Sequence, residues 1–435
     1  MYMDEIMKGE SSDIEYKEAL PENSSRYMKT VVAFANSSGG RLIFGVRDGT
    51  REVVGIDSDD IFKVCDSVAN AIADSCKPAV IPDITMRTVE GKTLVIVDIP
   101  EGRQRPYYIK SMGIEHGVYV RVAATSRPAD EDMIRELMFE GSGRHFDQTL
   151  CMGMQVTDDD ITRLCDAMKS EAQIHAKTDE QKAAVKDVTV NQLLSWGILT
   201  EKDGVLCPTN AYPVLIGDES MPSSIQCAVF KGSTRTVFVD SREYTGTLWE
   251  QVKQAYQFVL RNIHMSAEFN GLHRRSVYEI PSDVIRELIV NAAVHRSYID
   301  RGHIQVAIYD DRLEVTSPGK LMMGQNLRRM KYGHSKIRNE AIAKAFAYMN
   351  LMEQWGSGIP RIIDRTKEAG LREPEFIDLD VDLRVNIYRK QQSGIPCDQG
   401  ALKDGTIEVR EPETAYEAQS RKRPAGKCFS WRLKK

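Results

Sequence analysis

Across 435 residues there is no CxxC pair, no GxxxxGK[ST] phosphate loop and no apolar run long enough to span a bilayer. The eight cysteines, Cys65, Cys76, Cys151, Cys165, Cys207, Cys227, Cys397 and Cys428, are scattered, without zinc-ligand spacing. Reduced thiols fit this pattern better than a disulfide framework, so a cytoplasmic location is expected. The first ten residues, MYMDEIMKGE, lack the apolar core of a secretion signal. Positive charge is not in excess either: the net charge is −5, so any nucleic-acid surface must be a local patch. With 42% hydrophobic and 28% charged residues, the chain has the composition of a globular protein of two or three domains and no membrane partner.

What is present begins with Val31 to Asp48, VVAFANSSGGRLIFGVRD. An apolar helix end runs into Asn36-Ser37-Ser38-Gly39-Gly40, a strand follows over Arg41–Val46, and Asp48-Gly49 closes it. Paired glycines permit positive φ and close approach of another backbone. Ile61–Ala73 has helical periodicity. Asp83–Val89 and Thr93–Asp98 read as strands joined at Gly91-Lys92, and Gly117–Val122 as another. Asp130 caps a helix through Met138, and Gly141-Ser142-Gly143 breaks the chain.

Together with Glu10-Ser11-Ser12-Asp13-Ile14-Glu15-Tyr16-Lys17 upstream and Tyr119-Val120-Arg121 and Ser126-Arg127-Pro128 at its end, this segment resembles the AlbA-like (Schlafen-type) DNA-binding domain. In the Schlafen branch two glutamates and an aspartate form a metal-dependent nuclease site. The resemblance implies catalytic and Mg- or Mn-binding roles for Glu10, Glu15 and Asp48, with Lys17 nearby. The residues alone leave a second reading open: Glu15 and Lys17 alternate with Ile14 and Tyr16 like the polar face of an edge strand, and Asp48-Gly49 is an ordinary turn pair. Lys17, Arg41, Arg47, Arg103, Arg105 and Arg121 are candidate phosphate contacts, and Tyr107 and Tyr108 candidate stacking rings; a solvated face is the alternative.

The middle of the chain is less distinctive. Asp158–Met168, Thr189–Trp196 and Thr247–Ile263 read as helices, Val214–Ile216 and Ile225–Phe230 as strands. Gly197-Ile198-Leu199 and Cys227 to Gly232 resemble the middle of RecG-like regulator proteins, without a helicase motif.

The second informative block is Arg286-Glu287-Leu288-Ile289-Val290-Asn291-Ala292-Ala293-Val294-His295-Arg296. Glu287 and Asn291, four apart, share a helix face, and a carboxylate and amide on an otherwise apolar helix need a reason. Strands are expected over Ile304–Tyr309 and Leu313–Thr316, a loop at Ser317-Pro318-Gly319, and helices over Glu340–Met349 and Ile359–Ala369. The helix, Asp310 to Gly319, Gly333-His334-Ser335-Lys336-Ile337-Arg338-Asn339 and Trp355-Gly356-Ser357-Gly358, in that order, resemble the regulator-type branch of GHKL ATPases. The resemblance implies that Glu287 acts as ATPase base and that Asn291 holds the Mg ion carried by ATP. It implies nucleotide contacts for Gly319, Gly333, Ser335, Arg338, Asn339, Gly356 and Gly358. The adenine-reading aspartate of ordinary GHKL proteins is missing at Ser317-Pro318-Gly319, so hydrolysis is expected to be slow at most. In a degenerate domain, His295 and Arg296 read instead as a surface pair.

The expected fold is mixed α/β. It has an AlbA-like domain at 1–140, an α/β connector at 144–276, a GHKL-like sandwich at 277–390, and a polar, disordered tail at 391–435. The expected function is a DNA-binding transcriptional regulator with an ATP-binding module. A Schlafen-like nuclease acting on RNA or single-stranded DNA and a non-catalytic scaffold are the alternatives, and self-association is left open.

Overall fold

The computed structural model describes residues 9–390, apart from 123, 177, 271–272, 323–324, 354–355 and 380 and the side chains of 267–276. The tail at 391–435 and Trp355 lie outside the described residues. The protein is mixed α and β, with two main sheets.

The N-terminal sheet contains β1 (Ile14–Lys17), β2 (Gly40–Phe44), β3 (Asp83–Val89) and β4 (Lys92–Ile99), in the order β1-β2-β4-β3. β1 runs parallel to β2, and the other pairs are antiparallel. Alternation fixes which face each residue serves. Leu42 and Phe44 join Val95 and Val97 under α1 (Ser25–Ala35) and α2 (Ile61–Ser75). Ile43 instead joins Ile14, Tyr16, Leu94 and Ile96 on the opposite face. A hairpin of β5 (Tyr119–Val122) and β6 (Thr125–Pro128) leads into α3 (Glu131–Ser142). The Asp130 carboxylate accepts from Met133 N at 2.8 Å and starts that helix; Gly143, at φ 65°, ends it.

The helices α4 (Asp158–Ile174), α5 (Val190–Trp196) and α6 (Ala211–Ile216) follow, with a short helical turn at Asp179–Ala183 between the first two. Capping boxes at Thr157/Asp160 and Thr189/Gln192 open the first two. The strand expected over Val214–Ile216 is the end of α6. Pro213 sits in the first turn, where its missing N–H costs nothing, and Ala211 to Leu215 are all buried. A three-residue apolar run carries no period by which to tell the two structures apart.

The larger sheet comprises β7 (Ile225–Phe230), β8 (Phe238–Tyr244), β9 (Ile304–Ile308), β10 (Arg312–Pro318), β11 (Glu375–Asp378) and β12 (Asp382–Tyr388). Its order is β8-β7-β9-β10-β12-β11, with β7 and β9 parallel. It thus draws strands from both sides of residue 276. α7 (Leu248–Asn262) and α8 (Ser282–His295) pack on each other and on this sheet. Its core, running from Ile161 to Ile387, also takes in α9 (Glu340–Tyr348) and α10 (Gly358–Glu368). Ser317 and Pro318, expected in a loop, end β10 opposite Leu383 and Asp382, so the turn begins at Gly319. Among the described residues no helix is long and apolar enough to cross a membrane.

Candidate functional site

The Asn36 turn is the hub of the N-terminal unit. Asn36 is buried, and its amide donates to Tyr107 O at 2.7 Å and Tyr119 O at 3.0 Å while accepting from Tyr107 N at 2.7 Å. Next to it, Ser37 Oγ accepts from Arg121 N at 3.2 Å, and Ser37 O accepts from the Arg105 guanidinium. A Cβ on Gly39, where φ is +81°, would lie 2.8 Å from Ile99 O, so the turn can approach β4 only as glycine.

The candidate cations are distributed unevenly. Arg121 has 2% side-chain exposure; it reaches Glu15 Oε2 at 2.8 Å and Ser11 O at 2.9 Å. Arg105, at 3%, pairs with Glu140 of α3 at 3.2 Å. Both side chains brace the fold from inside and do not face solvent. Lys17 pairs with Glu15 at 2.7 Å, Arg41 with Asp98 at 2.7 Å, and Arg47 with Glu18 and Glu52. Arg103 is exposed, with no ion pair among the described residues. Tyr107 is buried behind the turn, and Tyr108 is half-buried.

Of the three carboxylates, Glu10 accepts from Tyr16 N at 3.1 Å. Burial pushes its pKa up against that hydrogen bond, and the nearby charges of Glu15 and Asp48 push the same way. Asp48 is exposed, and both oxygens of Glu15 are taken by Lys17 and Arg121. Among the described residues no three His, Cys, Asp or Glu side chains stand close enough to hold a metal ion. As placed, Glu15 would have to give up Lys17 or Arg121 to take the metal-binding role that the resemblance implies.

The C-terminal unit holds a concave cleft bordered by α8, the Gly319 turn and the start of α10. Glu287, Asn291, Gly319, Ser335, Arg338, Gly356 and Gly358 all line it. α8 presents Glu287 and Asn291 together, with Asn291 Nδ2 donating to Glu287 Oε1 at 3.3 Å. Burial raises the Glu287 pKa, although Arg286 and Arg361 oppose the shift. The start of α10 comes so close that a Cβ on Gly358 would strike Glu287 Oε1, so any larger residue there must displace the Glu287 carboxylate. Gly333 lies just outside the lining but touches it: a Cβ on Gly356 would lie 2.5 Å from Gly333 O. Asn339 faces away and clamps α8, its amide donating to Val294 O and Arg296 O at 2.8 Å each. Ser317, at the place of the missing adenine-reading aspartate, donates its hydroxyl to Ala292 O at 3.0 Å.

His295 also lines the cleft. Burial, and then the Arg338 charge, push its pKa down to about 4, against a hydrogen bond with the Lys336 backbone. Arg296, read as half of a surface pair, is fully buried. Its guanidinium donates to Asp300 O at 2.9 Å and Gly302 O at 2.7 Å, and lies over the Tyr298 ring.

The sequence reading missed Lys320 and Glu136. Lys320 lines the cleft, and its pKa is lowered by burial while Glu140 and Glu136 of α3 oppose that. Glu136 itself pairs with Arg338 at 2.8 Å. No local motif marks either residue, because the contact joins positions some two hundred residues apart.

Residues 10–130 match the family model "Schlafen, AlbA_2", and residues 302–387 match "Putative ATP-dependent DNA helicase recG C-terminal". The second match begins beyond Glu287 and Asn291. An uncharacterized ATP-binding protein of Ureaplasma parvum serovar 3 is 32% identical over 72 residues, covering 15% of this chain and 20% of that protein. This chain thus spans about a fifth of that curated relative's length. Among solved structures, the DIP2311 protein from Corynebacterium diphtheriae is 20% identical over 87% of this chain and 75% of its own, with a TM-score of 0.45. The N-terminal domain of a RecG-related protein from Nitrosomonas europaea is 31% identical over 29% of this chain and 88% of its own, with a TM-score of 0.23. The chain therefore carries an N-terminal segment similar to the Schlafen, AlbA_2 family and a C-terminal segment similar to the family described as putative ATP-dependent DNA helicase recG C-terminal.

Proposed function

We propose that this protein is a DNA-binding regulator whose C-terminal cleft binds ATP and passes the bound state to the N-terminal domain. The observation that carries the reading is the convergence of four separated sequence blocks on one cleft: the α8 face, the Gly319 turn, the Ser335–Arg338 segment and the Gly356–Gly358 turn. Lys320, Lys336 and Arg338 supply positive charge for phosphates, and the start of α10 supplies backbone N–H groups. Asn291 and Glu287 are hard oxygen donors of the kind that meet a magnesium ion carried by a nucleotide, which would neutralise phosphate charge. Glu287, with its raised pKa, suits a base that activates water.

At the other end, Arg103 and the exposed surface around it would meet nucleic-acid phosphates, while Arg105 and Arg121 hold the Asn36 turn beneath. The nuclease alternative has the mutual charge influence of Glu10, Glu15 and Asp48 in its favour; against it stand the engagement of Glu15 and, among the described residues, a spacing too wide for three carboxylates to share one ion. Gel-shift titrations of duplex DNA, single-stranded DNA and RNA, with and without ATP and with metal or EDTA, test the proposal. Coupled sites require ATP and nucleic acid to change each other's affinity by the same factor. Binding of each without mutual effect contradicts the regulatory reading. Metal-dependent cleavage lost in Glu15→Ala would transfer the protein to the nuclease class.

A further inference from the structure

Arg338 stands between two cavities. One is the candidate nucleotide cleft; the other, smaller, is walled by Glu136, Phe139 and Glu140 of α3, and Met322 and Arg338 border both. Its guanidinium is almost wholly enclosed. Nη1 is held by Glu136 Oε2 at 2.8 Å, with the two side chains 11% and 13% exposed, and Nη2 donates to Lys320 O. Nε is buried with no hydrogen-bond partner, and an unpaired buried donor is costly. Lys320 repeats the arrangement: it lines the cleft while facing Glu140 and Glu136. The backbone is gripped from the same side, since His145 Nδ1 lies 3.0 Å from Arg338 O.

Resting on the nucleotide reading of the cleft, we propose that Glu136 is a built-in competitor: its carboxylate occupies Arg338 where a polyphosphate group of the ligand would, and ligand binding releases α3. A carboxylate and a phosphate oxygen offer Arg the same charge-assisted hydrogen bonds, so one guanidinium can serve either in turn. The free Nε–H gives an incoming phosphate a donor that Glu136 leaves unused. Release of α3 has a defined route onward. Glu140, on the same helix, pairs with Arg105, which holds Ser37 O in the Asn36 turn; Ser37 in turn receives Arg121 N, whose guanidinium holds Glu15. Loss of the α3 contacts therefore reaches the turn that organises the N-terminal sheet. The ligand class is an anion with at least two linked phosphates, because Arg338 and Lys320 present two cationic points on one wall.

The test is calorimetric titration of the full chain with ATP and with inorganic tripolyphosphate, for the wild type and for Glu136→Gln. Removal of the competitor tightens binding of both probes about tenfold, the low end of the coupling between close, desolvated charge pairs. A second measurement needs no variant: amide hydrogen exchange over residues 131–142 of the wild type speeds up when ATP is added. Wild-type binding that Glu136→Gln leaves unchanged or weakens, or slower α3 exchange with ATP, overturns the competition alone. Failure of both the wild type and Glu136→Gln to bind either probe overturns the nucleotide reading and the competition with it. Tighter binding of ATP but not of tripolyphosphate also overturns it, since the competitor would then not act on phosphate.

Discussion

Asp147 makes a quantitative prediction. It lies just after the N-terminal unit, is 1% exposed, and reaches the start of α9, where Oδ2 accepts from Ile342 N at 3.1 Å. Its other oxygen has no partner. Burial raises the pKa to about 6, from 3.8, against the stabilising hydrogen bonds of Ile342 and Ala341 and the nearby His145. Because the folded value lies above the unfolded one, the favourable contribution of the protonated acid is complete below pH 3.8 and is lost as pH rises through about 6. A shift of this size corresponds to roughly 3 kcal/mol between the two limits. Asp147→Asn keeps an oxygen for the Ile342 N–H and cannot ionise. Urea denaturation of both proteins from pH 4 to pH 8 is the assay. The variant gains about 3 kcal/mol on the wild type across that window, mostly between pH 4 and pH 6.5. Parallel stability curves would refute the argument, because they would mean that Asp147 titrates alike folded and unfolded.

Three further outcomes are expected. His295 has the opposite sign: its pKa is depressed to about 4, so the stability it contributes is full above pH 6.5 and is lost as pH falls through 4. His295→Gln should remove about 3 kcal/mol of that acid-side decline, measured by urea melts. Asn36→Ala strands Tyr107 N, Tyr107 O and Tyr119 O in a buried site and should destabilise the protein by about 2–5 kcal/mol in the same assay. Gly358→Ala drives a methyl group into Glu287 Oε1; it should cost about 1–3 kcal/mol of stability, with part of the loss recovered when Glu287→Ala is added.

The fold was readable where the signal is local. The Asn36–Gly40 turn carries its own reason, since Gly39 cannot hold a side chain and a buried asparagine demands partners. Glu287 and Asn291 advertise one helix face by their spacing alone. Nonlocal relations were not readable. β7 belongs to the C-terminal sheet only through its parallel pairing with β9, some eighty residues away, which no periodicity encodes. Arg105 and Arg121 looked like phosphate contacts because arginines in loops and strands usually face water. Their burial depends on Glu140 and Glu15, distant in sequence. Arg296 is buried for a similar reason, its donors taken by the carbonyls of the turn at Asp300 and Gly302. The Arg338–Glu136 pair belongs to the same class: a charge on each side, unremarkable alone, whose meaning comes from the docking of α3.

The most direct test of the central claim is titration of the full chain with ATP, beside Asn291→Ala and Arg338→Ala, with thermal melts to verify that both variants fold. Saturable binding by the wild type, weakened by at least about tenfold in each variant, is the predicted result. Absence of wild-type binding, or affinity that neither substitution changes, would contradict the assignment of this cleft to a nucleotide.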